Sequence, residues 1–141
     1  MNKPFIDDFC HRVITIYKDY APSFVAPTDI EIDYDEQWIY FRFYIIHPRL
    51  EDHILVRSQD GKINCNLCLG ASTISIVTGE IDSYGTRWIV PPGASLSDHT
   101  KSRAEPTLSK IYRLTQEYKP QLLFVLGSKN FLSNVKEKAS G

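Results

Sequence analysis

The sequence predicts an α+β domain: an N-terminal amphipathic helix, an antiparallel β meander of about five to six strands, then a helix, a strand and a short helix. Three observations predict it. Apolar residues recur with a helical period over residues 4–20, the period changes to two over residues 30–46, and Asp60-Gly61 separates two alternating segments. Segregated helical and strand patterns are typical of α+β folds. The 141 residues suit a single domain, residues 1–141.

Residues 4–20 form the first predicted element. At 100° per residue, the apolar and aromatic side chains fill one half of the helical wheel and the charged side chains fill the other. Pro4 suits the first turn of a helix, and Pro22 is expected to end it. The aromatic stripe therefore predicts a helix that docks along one face of the sheet, with Phe9 in the core.

Two strands are predicted next, joined by a turn at residues 35–37. Residues 30–34 alternate between apolar and acidic side chains, which indicates a half-buried strand. Residues 38–46 continue the alternation, with Phe41 on the apolar face and Tyr40 on the other. Because the connection is short, we expect these two strands to pair as a hairpin.

The dipeptide Asp60-Gly61 is a strong signal for a type I′ turn. It places Val56 opposite Cys65 and leaves one apolar face and one largely polar face. Cys65 and Cys68 match the C-x-x-C pattern of redox and zinc-binding motifs. In this register they point to opposite faces of the sheet, because they are three residues apart on one strand. We therefore expect this pair neither to form a disulfide nor to hold a metal ion.

Patterns in the C-terminal half are weaker. A helix is indicated by apolar spacing before Lys119-Pro120, and the short apolar run after it indicates a buried strand. Two strands are predicted over residues 73–78 and 86–90, followed by a long polar loop over residues 91–105. A helix is predicted over residues 106–118, a buried strand over residues 121–126 and a frayed tail over residues 136–141.

Composition and charge exclude several classes of protein. A formal net charge of −1 gives no general attraction to nucleic acid or to anionic membranes. No uncharged apolar stretch approaches the ~20 residues needed to cross a bilayer. Asp7 and Asp8 occupy the place where the apolar region of a signal peptide would begin. Together with three cysteines, an odd number, these features predict a cytoplasmic protein with reduced thiols and no membrane partner.

Candidate catalytic residues are few. His47 and His53 flank an acidic connection, so they are candidates for acid–base work or metal binding, although their spacing matches no established signature. The loop residues Ser95, Ser97, Asp98 and His99 include the residue types of a hydrolase triad, without the strained turn that a nucleophile needs. The tetrapeptide Gly127-Ser128-Lys129-Asn130, between an expected strand and an expected helix, is a weak candidate for anion binding.

The alternation also predicts a second face of the sheet, opposite the one that the first helix covers. Tyr and Arg, which recur there, are enriched at protein-binding hot spots, and aromatic residues alternating with basic ones also occur on single-stranded nucleic-acid platforms. Two arrangements stay open: an exposed binding face, or a face covered by the C-terminal helices. The face comprises Tyr40, Arg42, Tyr44, Arg57, Lys62, Asn64 and Asn66, and Glu31 and Asp33 border it. Asp35 and Glu36 lie in the adjoining turn.

These observations predict a non-catalytic protein-binding module, such as a small cytosolic inhibitor, an immunity-type protein or an adaptor. An acidic cluster suits a partner with a basic surface. The alternatives are a small hydrolase or nuclease-type enzyme using His47 and His53, and a nucleic-acid-binding sheet. No catalytic residue, metal ion or cofactor is assigned. The expected partner-binding residues are Glu31, Asp33, Asp35, Glu36, Tyr40, Arg42, Tyr44 and Arg57.

Overall fold

The computed structural model describes residues 3–21, 27–45, 51–70, 72–78, 84–93 and 96–126. A helix precedes a meander of strands, and two helices follow it, so the predicted α+β class is confirmed. The elements in chain order are α1 (Lys3–Tyr20), β1 (Pro27–Tyr34), β2 (Trp38–Ile45), β3 (Glu51–Gln59), β4 (Lys62–Leu69), β5 (Ser72–Thr78), β6 (Tyr84–Ile89), α2 (Asp98–Glu117) and α3 (Lys119–Val125).

The strands of the described part of the chain form one six-stranded antiparallel sheet in the order β1-β2-β3-β4-β5-β6. Between β3 and β4, Asp60 and Gly61 both have positive φ, 52° and 75°, as a type I′ turn requires. Val56 lies opposite Cys65. The register predicted from the turn is therefore confirmed.

The predicted hairpin of β1 and β2 is also confirmed. The main-chain N–H of Asp35 donates to the carbonyl oxygen of Trp38 at 2.9 Å and closes the connection. In the resulting register Glu31 lies opposite Arg42. Directly opposed residues of an antiparallel pair share a face of the sheet, so the acids of β1 stand beside the side chains of β2.

Helix α1 covers one face of the sheet, as its aromatic stripe predicted. Phe9, Val13 and Tyr17 are fully buried, and so are Phe41 and Phe43 below them. The ring of Tyr17 stacks on that of Phe43 with their centroids 3.8 Å apart. The expected core positions of Phe9 and Phe41 are confirmed.

The predicted loop over residues 91–105 is wrong in its second half, because α2 already begins at Asp98. Ser97 is the N-cap, and its side chain accepts a hydrogen bond from the main-chain N–H of Thr100 at 3.1 Å. Pro106, expected to start the helix, lies inside it on the exposed side. The buried stripe of α2 begins only at Ala104, so the first turns show no apolar period.

The buried strand predicted over residues 121–126 is likewise wrong, because this segment is the helix α3. Pro120 lies in its first turn, where its missing N–H costs little. Leu122, Val125 and Leu126 are buried, at a spacing of three and four residues that fits a helix, yet a run this short does not distinguish helix from strand. The expected final helix, the tail and residues 127–130 lie outside the described residues.

Helices α2 and α3 pack on the same face of the sheet as α1, since the buried side chains of all three belong to one core with those of the strands. The indole Nε1 of Trp88 on β6 donates to Glu105 of α2 at 2.8 Å, and the amide of Gln116 donates to the carbonyl oxygen of Ile63 at 3.1 Å. No described helix covers the opposite face. No helix in the described ranges is long and apolar enough to cross a membrane.

A carboxyl group is buried where α1 meets the sheet. Asp52 is 8% exposed, and it accepts hydrogen bonds from the hydroxyl of Tyr17 at 2.6 Å and from the main-chain N–H of Gly70 at 3.3 Å. Burial raises the pKa of Asp52 above its ordinary value, although the two hydrogen bonds and the neighbouring His53 act in the other direction. The folded state therefore favours the protonated carboxyl.

We expect Asp52 to make the protein less stable as the pH rises. Its contribution is complete below its unfolded pKa of about 4 and is lost as the pH rises through the higher folded pKa. Urea unfolding of the wild type and of Asp52→Asn from about pH 3.5 to 8 checks this, with the exposed Asp19→Asn as control. The stability of the wild type should fall relative to that of Asp52→Asn as the pH rises; parallel curves would refute the assignment.

Candidate protein-binding face

We call the sheet surface opposite the helices the open face. Strand alternation and cross-strand pairing decide its membership, because residues directly opposite one another share a face. Within β1 to β4 it comprises Asp29, Glu31, Asp33, Trp38, Tyr40, Arg42, Tyr44, Glu51, His53, Leu55, Arg57, Gln59, Lys62, Asn64, Asn66 and Cys68.

Every predicted binding residue within β1 to β3 lies on the open face, as the sequence pattern placed it. The sequence left open whether this face is exposed or covered by the C-terminal helices. The described helices leave it uncovered. The side chains of Tyr40, Arg42 and Tyr44 are half-buried, while Arg57 is exposed. Asp35 and Glu36 lie exposed at the tip of the adjoining hairpin.

An arginine joins the acids of β1 to β2. The guanidinium of Arg42 lies 3.0 Å from a carboxylate oxygen of Asp33 and 3.5 Å from one of Glu31. The hydroxyl of Tyr44 donates to the same Glu31 at 3.0 Å, and this hydrogen bond raises the pKa of Tyr44. The acidic cluster and the Tyr/Arg face are thus one connected network. Within it, the charge of Arg42 is already paired with the carboxylates of Glu31 and Asp33.

Tyr40 contacts both Trp38 and His53 on the open face, and we call these three residues the aromatic centre. The ring of Tyr40 stacks on the imidazole of His53 with centroids 5.1 Å apart, and it meets the indole of Trp38 edge-on at 5.9 Å. The guanidinium carbon of Arg42 lies 5.3 Å from the same ring centroid, within cation–π range. Leu55 lies directly opposite on β3. Because the neighbouring rings hold Tyr40, little side-chain freedom remains to be lost on binding.

Charge changes sign across the open face. Acids line β1 at one edge and Glu51 adds another at the start of β3, while Arg57 of β3 and Lys62 of β4 lie exposed near the turn between those two strands. Arg57 donates to the side chain of Gln59 at 3.1 Å. A partner with an extended basic surface is therefore attracted mainly to the β1 side of the face.

His53 was expected in a connection, but it lies within β3, which begins at Glu51. Its Nε2 lies 2.9 Å from a carboxylate oxygen of Glu51, and Tyr40 stacks on its ring. His47 lies outside the described residues, so the proposed pairing of the two imidazoles stays a prediction. No group of three or more His, Cys, Asp or Glu among the described residues is placed to hold a metal ion.

The two cysteines of the C-x-x-C match point to opposite faces, as predicted. Cys65 is fully buried beneath the helices, and burial raises the pKa of its thiol. Cys68 lies on the open face, where the hydroxyl of Thr73 donates to its sulfur at 3.5 Å. Both are free thiols.

Sequence reasoning did not name Trp38 as a binding residue, and it considered His53 only as a candidate for acid–base work or metal binding. The signal for His53 was present, since it stands two residues before Leu55 in the same alternation. Ser97, once a candidate of the loop triad, instead caps α2. Asp98 and His99 lie in the first turn of that helix, and Ser95 lies outside the described residues.

Comparison of the chain with protein-family models, with curated proteins and with solved structures found no match.

Proposed function

We propose that this protein is a non-catalytic protein-binding module of the cytoplasm, such as a small inhibitor, an immunity-type protein or an adaptor. It binds a partner with a basic surface through the open face and the acidic hairpin tip. One observation carries the proposal: α1, α2 and α3 all pack on one face of the sheet, and the other face presents an aromatic centre.

The composition of the open face supports binding rather than simple solvation. An antiparallel sheet with one solvated face ordinarily shows polar side chains there. Here Trp38 and Tyr40 on β2 and Leu55 on β3 lie on interior strands of the sheet. Aromatic side chains and arginine are the types most enriched in protein interfaces and at hot spots.

The acids of the open face favour a protein partner over nucleic acid. Glu31 and Asp33 lie beside the aromatic centre and take up the charge of Arg42, so a phosphate backbone would meet repulsion there. The hydrolase alternative depends on His47, which lies outside the described residues.

Site-specific photo-crosslinking in cells tests the proposal. A benzophenone amino acid replaces Leu55 on the open face in one variant and the exposed Lys110 on α2 in a control. We expect one protein to be cross-linked from position 55 and not from position 110. The purified pair should then form a complex that Leu55→Glu abolishes and Lys110→Glu leaves intact. Cross-linking from position 110 alone would contradict the proposal.

The hairpin tip should act on the rate of association. Replacing Asp35 and Glu36 together by Lys reverses the exposed charge that attracts a basic partner, so association should slow by on the order of tenfold at low salt. The effect should shrink as salt rises, because screening weakens long-range attraction. Surface plasmon resonance with the purified partner measures both rates.

The matched control for that double variant carries the same charge change elsewhere. Asp7 and Asp19 are exposed acids of α1, on the helical side of the molecule, and both are replaced by Lys. Equal slowing in the two double variants would show that net charge alone acts and that the hairpin tip has no special part.

A further inference from the structure

Strand β1 is an outer strand of the described sheet and directs a row of main-chain groups away from it. The bond from the N–H of Asp35 to the carbonyl of Trp38 shows that Asp35 directs its main-chain groups toward β2. Along an antiparallel ladder, residues directed toward the partner strand alternate with residues directed outward. Every second residue counted back from Asp35 therefore bonds to β2, whereas Ile30, Ile32 and Tyr34 direct their N–H and C=O groups outward.

One further contact supports this orientation. The N–H of Ile30 donates to the carboxylate of Asp29 at 2.9 Å rather than to β2. Among the described residues, nothing bonds to the outward main chain of Ile32. Unpaired groups in a row on an outer strand form a template for another strand.

The side chains of β1 set the pattern that an added strand must match. On the open face they are acidic: Asp29, Glu31 and Asp33. On the helix face Ile30 and Ile32 are half-buried against the core. A neighbouring strand places its side chains beside these on both faces, so the matching strand alternates basic and apolar residues.

Charge also decides which occupant fits the edge. Arg42 is the cation paired with β1, through Glu31 and Asp33, and Asp29 forms no ion pair within the described ranges. If two copies of the chain paired along β1 about a two-fold axis, the acidic faces of both strands would coincide. Like charges would then lie directly opposite one another, which destabilises such a dimer.

We propose that the outer edge of β1 binds an extended basic segment of a partner protein as a seventh strand of the sheet. The inference rests on the proposed function and adds the binding mode and the chemistry of the partner. Main-chain hydrogen bonds to Ile32, Tyr34 and the carbonyl oxygen of Ile30, whose N–H already donates to Asp29, hold the segment. Its alternating side chains contact the acids on one face and the isoleucines on the other.

An NMR titration of the full chain tests this inference. The probe is a synthetic peptide of alternating Lys and Val, about six residues long, and its control is the Glu/Val peptide of equal length. We expect the Lys/Val peptide to shift the amide signals of Ile30, Ile32 and Tyr34, and the Glu/Val peptide to leave them unchanged.

A pair of variants isolates the main-chain contribution. Ile32→Pro and Ile32→Ala both remove the isoleucine side chain, but only proline also removes the outward N–H, and outer strands tolerate proline at such positions. We expect the Lys/Val peptide to bind Ile32→Pro at least about tenfold more weakly than Ile32→Ala. As a check that needs no variant, N-methylation of the peptide main chain should abolish binding to the wild type.

The outcomes separate this inference from the proposed function. Equal affinity of the two Ile32 variants, binding of the N-methylated peptide, or amide shifts confined to Leu55 and Asn66 would overturn the β1 edge as the site, while cross-linking from position 55 would still support the open face. A dimer in sedimentation that Ile32→Pro abolishes would show that a second copy occupies the edge, and would also overturn the inference.

Discussion

Phe41→Ala should lower the free energy of unfolding by about 3–5 kcal/mol, and Phe9→Ala should do the same, because each truncation leaves a cavity in a packed core. Both side chains are fully buried. The ring of Phe41 lies nearly parallel to that of Phe43 at 6.5 Å, and the ring of Phe9 meets that of Tyr118 edge-on at 5.4 Å.

Denaturant titration measures these losses, and the chain supplies a matched control. Phe124 on α3 is 71% exposed, so Phe124→Ala removes the same atoms without opening a cavity. We expect that control to change the free energy of unfolding by less than ~1 kcal/mol. A loss of that small size for Phe9→Ala or Phe41→Ala would show that α1 does not cover this face of the sheet.

Tyr40→Ala should weaken partner binding by about 1–3 kcal/mol, which corresponds to a dissociation rate raised roughly 5- to 150-fold. Tyr40 contacts the rings of both Trp38 and His53, so its removal loosens the whole aromatic centre. The effect should fall on dissociation, because short-range contacts act mainly after encounter. Surface plasmon resonance on the purified complex measures it.

Two controls accompany the Tyr40 variant. Tyr40→Phe keeps the ring and should retain most of the affinity, and Lys110→Ala on α2 should change neither rate. The guanidinium of Arg42 is held by Glu31 and Asp33, so we expect Arg42→Ala to raise the dissociation rate less than Tyr40→Ala does. An unchanged dissociation rate for Tyr40→Ala, with the fold intact by circular dichroism, would move the binding site away from the aromatic centre.

The N-terminal half of the fold was predictable because local chemistry and tertiary packing agree there. Alternation within β1 and β2, and the Asp60-Gly61 turn, each specify a register that the burial of Phe41 and Cys65 also requires. The C-terminal half was not, because one local signal conflicts with the packing and another is ambiguous. Pro106 indicates a helix start but lies inside α2, and the apolar run of α3 fits either period.

Membership of the open face followed from alternation alone, which places Tyr40 and Arg42 on the same side. Two of its properties did not follow. The ion pairs of Arg42 depend on side-chain geometry across β1 and β2. Whether helices cover the face depends on where α2 and α3 dock, and both pack on the same face as α1.

Carbene footprinting of the chain, free and bound to the cross-linked partner, tests the central claim most directly. The label modifies exposed side chains of every kind, so one experiment reports on both sides of the molecule. We predict that binding protects Trp38, Tyr40 and Leu55 and leaves the exposed residues of α2, such as Lys110 and Arg113, modified as before. Protection of α2 with unchanged modification of Trp38 and Tyr40 would contradict the assignment of the open face as the binding surface.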